Sequence, residues 1–416
     1  MRNVPIPSRE EDFTADPAEL FFDLSFVFAF SRLVFHLVHD PTLAGIGEFV
    51  LLFALIWIAW SNFTWAANAV AGNSRFVRTV FMVATAISLP MAASLEAPFG
   101  SGSIVFAVTV SAILTMPIIT GAALLDDEAV RSSNRRYLFF TVGAIVLVLA
   151  GGFASGAVQI GLWIAALAVL VLNTIDAGGG DWMMRPGHFA ERHGLIVIIA
   201  LGEVVVAIGA PVVETLSEGH SLDANLVAAL TASGVLAGLL WWSYFDRPLP
   251  ALERRHEGLT DPKVRALFAR DVYTYNHFFI VGAILVAAAA LEEIMLHPAD
   301  PLPTPFRWML FIGISAYLLG VVLSVLRAYS ALALERLVAV AALGVLIAVS
   351  PSLSGMWLLI AVDLLLLLVL IIEHYRVEVA RRYVLVQSKS QSAETQDDSR
   401  DTDQHTSEAG NAHPRE

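Results

Sequence analysis

The sequence predicts an all-α fold, a polytopic transmembrane helix bundle of about twelve spans. Of the 416 residues, 57% are hydrophobic and only 15% are charged, whereas soluble domains carry about 25% charged residues. The mean hydropathy of the chain is +0.69. Apolar runs of roughly 20 residues, long enough to cross about 30 Å of hydrocarbon, recur along its whole length.

The individual spans follow from these apolar runs. A short turn around Gly156 joins spans five and six, and residues 350–352 join spans eleven and twelve, so both pairs are predicted helical hairpins. Small residues four apart, Gly234 with Gly238 and Gly152 with Gly156, predict close helix packing. The predicted spans are residues 18–38, 46–66, 76–96, 103–125, 136–154, 157–176, 193–213, 224–245, 274–295, 307–327, 333–350 and 355–375.

Basic residues alternate between the two ends of these spans. Arginine and lysine are concentrated before span one, in every second connection after it, and after span twelve. Only Arg307, in a connection, and Arg32, within a span, depart from this alternation. Under the positive-inside rule, both termini are expected to be cytoplasmic.

The domain organisation follows from composition. Residues 1–17 are predicted as a cytoplasmic N-terminus without a cleavable signal pattern, and residues 18–380 as the transmembrane bundle. Residues 387–416 are polar, rich in acids and free of bulky apolar side chains. Such a segment buries too little surface to fold alone, so it is predicted to be a disordered acidic cytoplasmic tail.

Six spans in each half would give the two halves the same orientation, which allows a parallel 6+6 repeat of residues 18–176 and 191–380. The W-S-x-F pattern that begins at Trp60 in span two recurs at Trp242 in span eight. The alternative is that these tryptophans belong to interfacial aromatic belts. The sequence leaves both interpretations open.

Ionisable residues within spans are costly, and each is therefore a candidate site residue. Glu203 lies near the middle of span seven, 12 residues beyond Glu191, while Arg32 lies 13 residues beyond Glu19 in span one. Both are thus some 18–20 Å past the start of their spans, given a rise of about 1.5 Å per residue. We predict that Arg32 and Glu203 pair; the alternative is a pair that only fixes helix register.

The two acids of span one have different expected roles. Glu19 is close enough to the membrane surface to be a solvated interfacial acid as readily as a buried site residue. Asp23 lies one turn deeper and requires a donor, for which His193, Tyr275 and His277 lie at a similar depth. Histidine and carboxylate side chains together can relay protons, although each histidine can equally be an interfacial hydrogen-bonding residue. The residues expected to surround a cytoplasm-facing vestibule are Asp23, Glu191, His193, Asp246, Tyr275 and His277.

Several function classes lack any signal in the sequence. It contains no phosphate-binding glycine loop, no H-E-x-x-H motif and no G-x-S-x-G turn, so nothing predicts ATP hydrolysis, a cofactor or nucleic-acid binding. It contains no cysteine, which excludes disulfides and thiolate-ligated metals.

Four motifs together resemble the bacterial low-temperature-requirement protein A (LtrA) family, over roughly residues 15–380. His193, where an aromatic residue is common, and Val204, where a small polar residue often follows the glutamate, depart from the family pattern. The resemblance implies an integral protein of the bacterial inner membrane and a link to growth in the cold, but no established substrate. The motifs are Glu19-Leu-Phe-Phe-Asp23, the Trp-rich second span, Glu191-Arg-His-Gly with Ala-Leu-Gly-Glu203, and Trp241-Trp-Ser-Tyr-Phe-Asp246.

Three function classes are compatible with these observations. The first is a transporter, coupled to protons and acting on a small molecule, with its pathway between spans one, seven, eight and nine. The second is a non-transporting membrane scaffold or stress factor whose buried charges fix helix pairing. The third is a membrane-embedded enzyme, which the absence of a recognisable catalytic motif makes the weakest of the three.

Overall fold

The computed structural model describes residues 15–69, 75–124, 128–177, 185–219 and 221–376. These residues form helices and no β-strand, which confirms the all-α fold class. The predicted acidic tail, residues 387–416, and most of the predicted N-terminus lie outside the described ranges. Two compact units divide the chain, Met1–Leu365 and Leu366–Glu416, and the described part of the second unit is helical throughout.

The helices follow the predicted spans in order, with two short helices and a π-helix inserted after the eighth span. They are α1 Pro17–His39, α2 Leu43–Ala69, α3 Arg75–Ser94, α4 Ser103–Leu124, α5 Glu128–Gly152, α6 Gly156–Ala177, α7 Pro186–Ser217, α8 Ala224–Phe245, α9 Pro248–Glu257, α10 Pro262–Phe268, the π-helix Ala269–Asn276, α11 His277–Leu296, α12 Thr304–Tyr329, α13 Leu334–Val349 and α14 Gly355–Arg376.

In the part of the chain that the structure describes, ten helices are long and apolar enough to cross a membrane. The apolar part of α5, Tyr137–Gly152, is shorter, and α13 has only 16 residues. Helices α5 and α7 begin earlier than predicted, α5 at Glu128 instead of residue 136 and α7 at Pro186 instead of residue 193. Helix α7 starts at Pro186 because proline is favoured at the first helical position. The prediction placed the start too late because the charged residues after Pro186 lower the hydropathy of the first turns.

Helices α1, α7 and α11 form the centre of the bundle, and each packs against the other two. Helix α11 is apolar from Phe278 to Leu291 and buries 14 of its 20 residues, as expected for a helix inside a bundle. Helix α1 instead buries one face, through residues that include Phe22, Phe26 and Phe30. Helices α3 to α6 pack in sequence along the chain and contact the centre through α1 and α2.

Glycines mark only some of the predicted close contacts. A Cβ on Gly152 would collide with Ala107 of α4, so this glycine allows the predicted close packing, whereas Gly156 adopts a φ of 57° and serves the predicted turn. The predicted packing face of α8 is wrong, because a Cβ on Gly234 or Gly238 would meet no atom within 4 Å. At Gly313, helix α12 approaches the backbone of α11 closely.

Replacing Gly313 with alanine should therefore destabilise the protein. The added Cβ would lie 2.8 Å from both the Ala283 oxygen and the Ala287 nitrogen, and forced overpacking costs about 1–3 kcal/mol. Gly238→Ala is the matched control: it adds a methyl group in open space and should stabilise its helix by up to about 1 kcal/mol. Apparent melting temperatures of the purified variants test this, and equal shifts would contradict it.

The 6+6 repeat stays a prediction. Its two matched tryptophans occupy different environments, since Trp60 is 1% exposed and Trp242 is 58% exposed. Ser61 and Ser243, which follow them, are both buried. Trp60 is therefore not a residue of an interfacial belt, whereas the exposure of Trp242 is compatible with that alternative.

Candidate functional site

The residues with the most unusual environment lie on the side of the bundle where α1 and α7 begin, here called the near face. Glu19 and Asp23, one turn apart on α1, oppose His188 and Arg192, one turn apart on α7. Arg192 forms an ion pair with Glu19 and donates from Nη2 to Asp23 Oδ1 over 2.7 Å. His188 Nε2 lies 3.0 Å from Glu19 Oε2. All four side chains, here called the Arg192 cluster, are fully buried.

Local structure at the helix starts holds this cluster in place. Asp16 caps α1 by accepting a hydrogen bond from the Ala18 nitrogen over 2.9 Å, and it also accepts from Arg78 of α3 over 2.7 Å. The Glu191 carboxylate of α7 accepts a hydrogen bond from the Ala15 nitrogen over 2.7 Å. The starts of α1 and α7 are thereby fixed against each other, with Glu19 and Asp23 facing inward.

Trp60 of α2 covers the inner end of the cluster. Its Nε1 donates to Asp23 Oδ1 over 2.8 Å, so this oxygen accepts from both Trp60 and Arg192. The Arg192 guanidinium also lies over the rings of Trp60 and Phe81, 5.9 Å and 5.8 Å from their centroids. Aromatic faces attract a cation, and the effect is stronger where water is excluded.

The cluster retains capacity to bind a proton. Glu19 and Asp23 carry two negative charges and Arg192 carries one positive charge, so one further proton makes these three groups neutral. Glu19 Oε1 and Asp23 Oδ2 have no hydrogen-bond partner among the described residues. A buried carboxylate oxygen without a donor is costly, which favours a state in which a proton is bound.

A layer of histidines and tyrosines continues from Trp60 into the bundle. The His193 ring lies 5.1 Å from the rings of Trp60, His277 and Tyr273. The His193 Nδ1 lies 2.8 Å from the Phe189 carbonyl and the His277 Nδ1 lies 2.9 Å from the Val272 carbonyl, both acceptors. Each Nδ1 must therefore donate, which leaves each neutral ring with Nε2 as its acceptor.

The two Nε2 atoms of this layer have different partners. Tyr244 donates to His277 Nε2 over 2.5 Å. His193 Nε2, in contrast, is buried and has no partner among the described residues, and the same holds for the Tyr273 hydroxyl. Buried polar atoms without partners are rare, and they mark a place where a proton or an ordered water is expected.

The π-helix carries Tyr273 of this layer, and His277 follows it directly as the first residue of α11. Trp57 Nε1 donates to the Thr274 carbonyl over 2.8 Å, and Trp65 Nε1 donates to the Thr274 hydroxyl over 2.9 Å. These bonds attach α2 to the π-helix on both sides of Trp60. Short π-helical segments occur frequently at functional sites, where they shift the direction of side chains.

The predicted Arg32–Glu203 pair is not formed. On the opposite side of the bundle, here called the far face, Arg32 donates to Glu96 over 3.0 Å. His36 of the next turn lies 3.2 Å from Glu48. Helices α1 and α7 do pack together, as the prediction required, but Ser31 rather than Arg32 is the polar side chain that Glu203 meets.

The structure brings together four of the predicted site residues on the near face, Glu19, Asp23, His193 and His277. Glu19 is fully buried, which excludes the solvated interfacial acid and leaves the alternative of a buried site residue. Asp23 receives its donors from Arg192 and Trp60 and not from the predicted histidines or tyrosine. These four side chains are buried, whereas the prediction had placed Asp23, His193 and His277 around an open vestibule.

Besides Arg32 and Glu203, three further predicted residues lie outside this site. Glu191 is exposed beside Ala15. Asp246 is 44% exposed and pairs with its neighbour Arg247 over 3.2 Å. Tyr275 shares a hydrogen bond of 2.7 Å with Thr174 of α6, on another side of the π-helix.

Four residues of the site were not predicted from the sequence: Arg192, His188, Trp60 and Tyr244. Arg192 had been assigned to a connection because the start of α7 was placed too late. The available signal was the spacing: His188 and Arg192 are four residues apart, as are Glu19 and Asp23, and complementary pairs with this spacing can face each other on two helices. Among the described residues, no group of three or more histidine, aspartate or glutamate side chains could hold a metal ion.

Comparisons with known proteins agree with this picture of a membrane protein. The family model described as "Bacterial low temperature requirement A protein (LtrA)" matches residues 14–371. An uncharacterized protein, RA0937, of Rhizobium meliloti (strain 1021) is 28% identical over 293 residues, which cover 67% of this chain and 69% of that protein. No solved structure matches the chain.

Proposed function

We propose that this chain, which belongs to the bacterial low temperature requirement A protein (LtrA) family, is a proton-coupled transporter of a small molecule. The observation that carries the proposal is the set of buried proton acceptors without partners on the near face. They are Glu19 Oε1, Asp23 Oδ2 and His193 Nε2. Ionisable groups of this kind within a membrane bundle are typical of proton relays.

A bound proton would change how α1 and α7 are held together. While both carboxylates are charged, Arg192 attracts Glu19 and Asp23 and so joins the two helices. Protonation of Asp23 removes one of these attractions, which weakens the contact at the near face and allows the helices to separate there. Transporters alternate between a state open to one side of the membrane and a state open to the other side. If a bound proton stabilises one of these two states, proton movement becomes coupled to substrate movement.

The cellular setting is part of the same proposal. The family name and the many apolar helices support a multi-pass protein of the bacterial inner membrane. The alternation of basic connections supports cytoplasmic termini, which would place the near face at the cytoplasmic side. The family name also suggests that the transported molecule contributes to growth or stress adaptation at low temperature.

Transport by purified protein in liposomes tests the proposal. The vesicles would contain a pH-sensitive dye and be exposed in turn to pooled amino acids, sugars, organic acids and amines. We expect at least one pool to drive proton movement, and Asp23→Asn to reduce its rate about tenfold or more. The control is Asp246→Asn, which changes an exposed aspartate and should leave the rate unchanged. If folded wild-type protein moves no protons with any pool, the proposal is wrong.

A scaffold whose charges fix helix pairing is the second candidate function. The observation that favours it is the complete burial of the Arg192 cluster between α1 and α7. Replacement of a whole buried ion cluster by neutral residues is often tolerated. A triple variant, Glu19→Gln, Asp23→Asn and Arg192→Met, that folds and restores growth of a deletion strain in the cold would favour the scaffold.

A further inference from the structure

We propose that Tyr273 relays protons between His256, beneath the near-face surface, and His193, beside Trp60, by way of ordered water. The Tyr273 ring contacts both histidines, with centroids 5.7 Å from the His256 ring and 5.1 Å from the His193 ring. All three side chains belong to residues that are at most 1% exposed. The relay would serve the proton acceptors of the near face, so the inference rests on the proton-coupled transport proposed above.

His256 lies on α9, which covers the near face and packs against α7, α8 and α12. The neighbouring residues Arg254, Arg255 and Glu257 are exposed on the outer side of this helix. The His256 ring instead faces the bundle, where it stacks 5.2 Å from the Phe268 ring. Only about the diameter of one helix therefore separates the His256 ring from the near-face surface.

The hydrogen bonds of the two histidines leave one acceptor nitrogen on each ring. His256 Nε2 lies 3.2 Å from the Arg265 carbonyl and must donate to it, so Nδ1 is the acceptor of the neutral ring. His193 has the opposite tautomer, because its Nδ1 donates to the Phe189 carbonyl and its Nε2 is the acceptor. Neither acceptor nitrogen has a partner among the described residues.

The Tyr273 hydroxyl is the matching donor. It is buried and has no hydrogen-bond partner in the part of the chain that the structure describes. The third histidine against its ring, His277 at 5.5 Å, already accepts from Tyr244 and does not need this hydroxyl. A water molecule that accepts from Tyr273 and donates to the two unpartnered histidine nitrogens would satisfy all three atoms, and buried waters typically make about three hydrogen bonds.

A tyrosine hydroxyl can pass on a proton without becoming charged. When a proton arrives through water at the Tyr273 oxygen, a new O–H bond forms there, and the original O–H bond breaks toward the other histidine. The histidine that gave the proton becomes neutral, and the histidine that received it becomes positively charged. Phenylalanine at this position would keep the ring contacts but has no oxygen, so it would interrupt the transfer.

Solid-state NMR of protein with heavy nitrogen in its histidines tests the hydrogen bonds. His193→Gln and His256→Gln would assign the two signals. We expect opposite tautomers, with the proton on Nδ1 in His193 and on Nε2 in His256, and we expect Tyr273→Phe to shift the acceptor nitrogen of both rings. The matched control is Tyr275→Phe, which removes a hydroxyl on the same π-helix that pairs with Thr174, and it should move neither signal.

Proton flux in the liposome assay tests the transfer itself. Tyr273→Phe and His256→Gln should each slow proton movement about tenfold or more, because a positioned proton-transfer group is lost. The substrate concentration at half-maximal rate should stay unchanged, since neither side chain is proposed to bind substrate. Tyr275→Phe should leave both quantities at their wild-type values.

Two results would overturn the relay. The first is an acceptor-nitrogen signal of His193 or His256 that Tyr273→Phe leaves unmoved. The second is a proton flux in Tyr273→Phe that equals that of the wild type. If the wild type moves no protons but Tyr273→Phe shifts both signals, the proposed transport and the relay are wrong, and only the shared water site is supported.

Discussion

Replacing Arg192 with methionine is expected to lower the free energy of unfolding by about 3–5 kcal/mol, the cost of removing one partner of a buried ion pair. The substitution would leave Glu19 with His188 and Asp23 with Trp60, and neither contact replaces the buried guanidinium that both carboxylates share. The apparent melting temperature and the recovery of folded protein after heating measure this effect. Arg254→Met is the control: Arg254 is exposed on α9, and its replacement should cost within about 0.5 kcal/mol.

Neutralising the acids should rescue the Arg192 variant. The triple variant Arg192→Met, Glu19→Gln and Asp23→Asn carries no charge at these three positions. We expect it to regain more than half of the stability that Arg192→Met loses. The two acid substitutions on their own should each destabilise the protein, because Arg192 then loses a partner. A triple variant that is less stable than Arg192→Met would show that the three charges are not energetically coupled.

The fold was largely predictable because hydrophobic length is a direct physical requirement of the membrane. Helices such as α8, predicted over residues 224–245, were placed correctly, since their apolar runs coincide with the helix. Helical turns that contain several charged residues were harder to predict. The first turns of α7 contain His188, Glu191 and Arg192, and their low hydropathy concealed a helix that begins at Pro186 and buries two of these residues.

The site was only half predictable, because pairing depends on how helices are rotated against each other. The sequence indicated that Glu19 and Asp23 share a face, but not that the face is dry or that Arg192 opposes it. Depth alone suggested Arg32 and Glu203 as partners. Their helices do meet, but Arg32 is rotated toward Glu96, and helix rotation cannot be derived from residue spacing within one helix.

Truncation of Trp60 is the second change with a large expected effect. Removing a fully buried tryptophan side chain costs about 3–5 kcal/mol through the cavity it leaves. Trp60→Ala also removes the indole donor from Asp23 Oδ1 and the aromatic face over Arg192. Trp242→Ala is the matched control, because Trp242 is exposed to the surroundings of the bundle and should cost far less.

A second substitution separates the packing of Trp60 from its hydrogen bond. Trp60→Phe keeps most of the apolar volume but removes the Nε1 donor to Asp23, 2.8 Å away. Loss of a donor to a buried charged group costs about 1–3 kcal/mol, so this variant should lie between wild type and Trp60→Ala. In the Asp23→Asn background the phenylalanine should cost less, since the acceptor is no longer charged. An unchanged cost in that background would mean that Trp60 acts through packing alone, and that Asp23 is held by Arg192 without it.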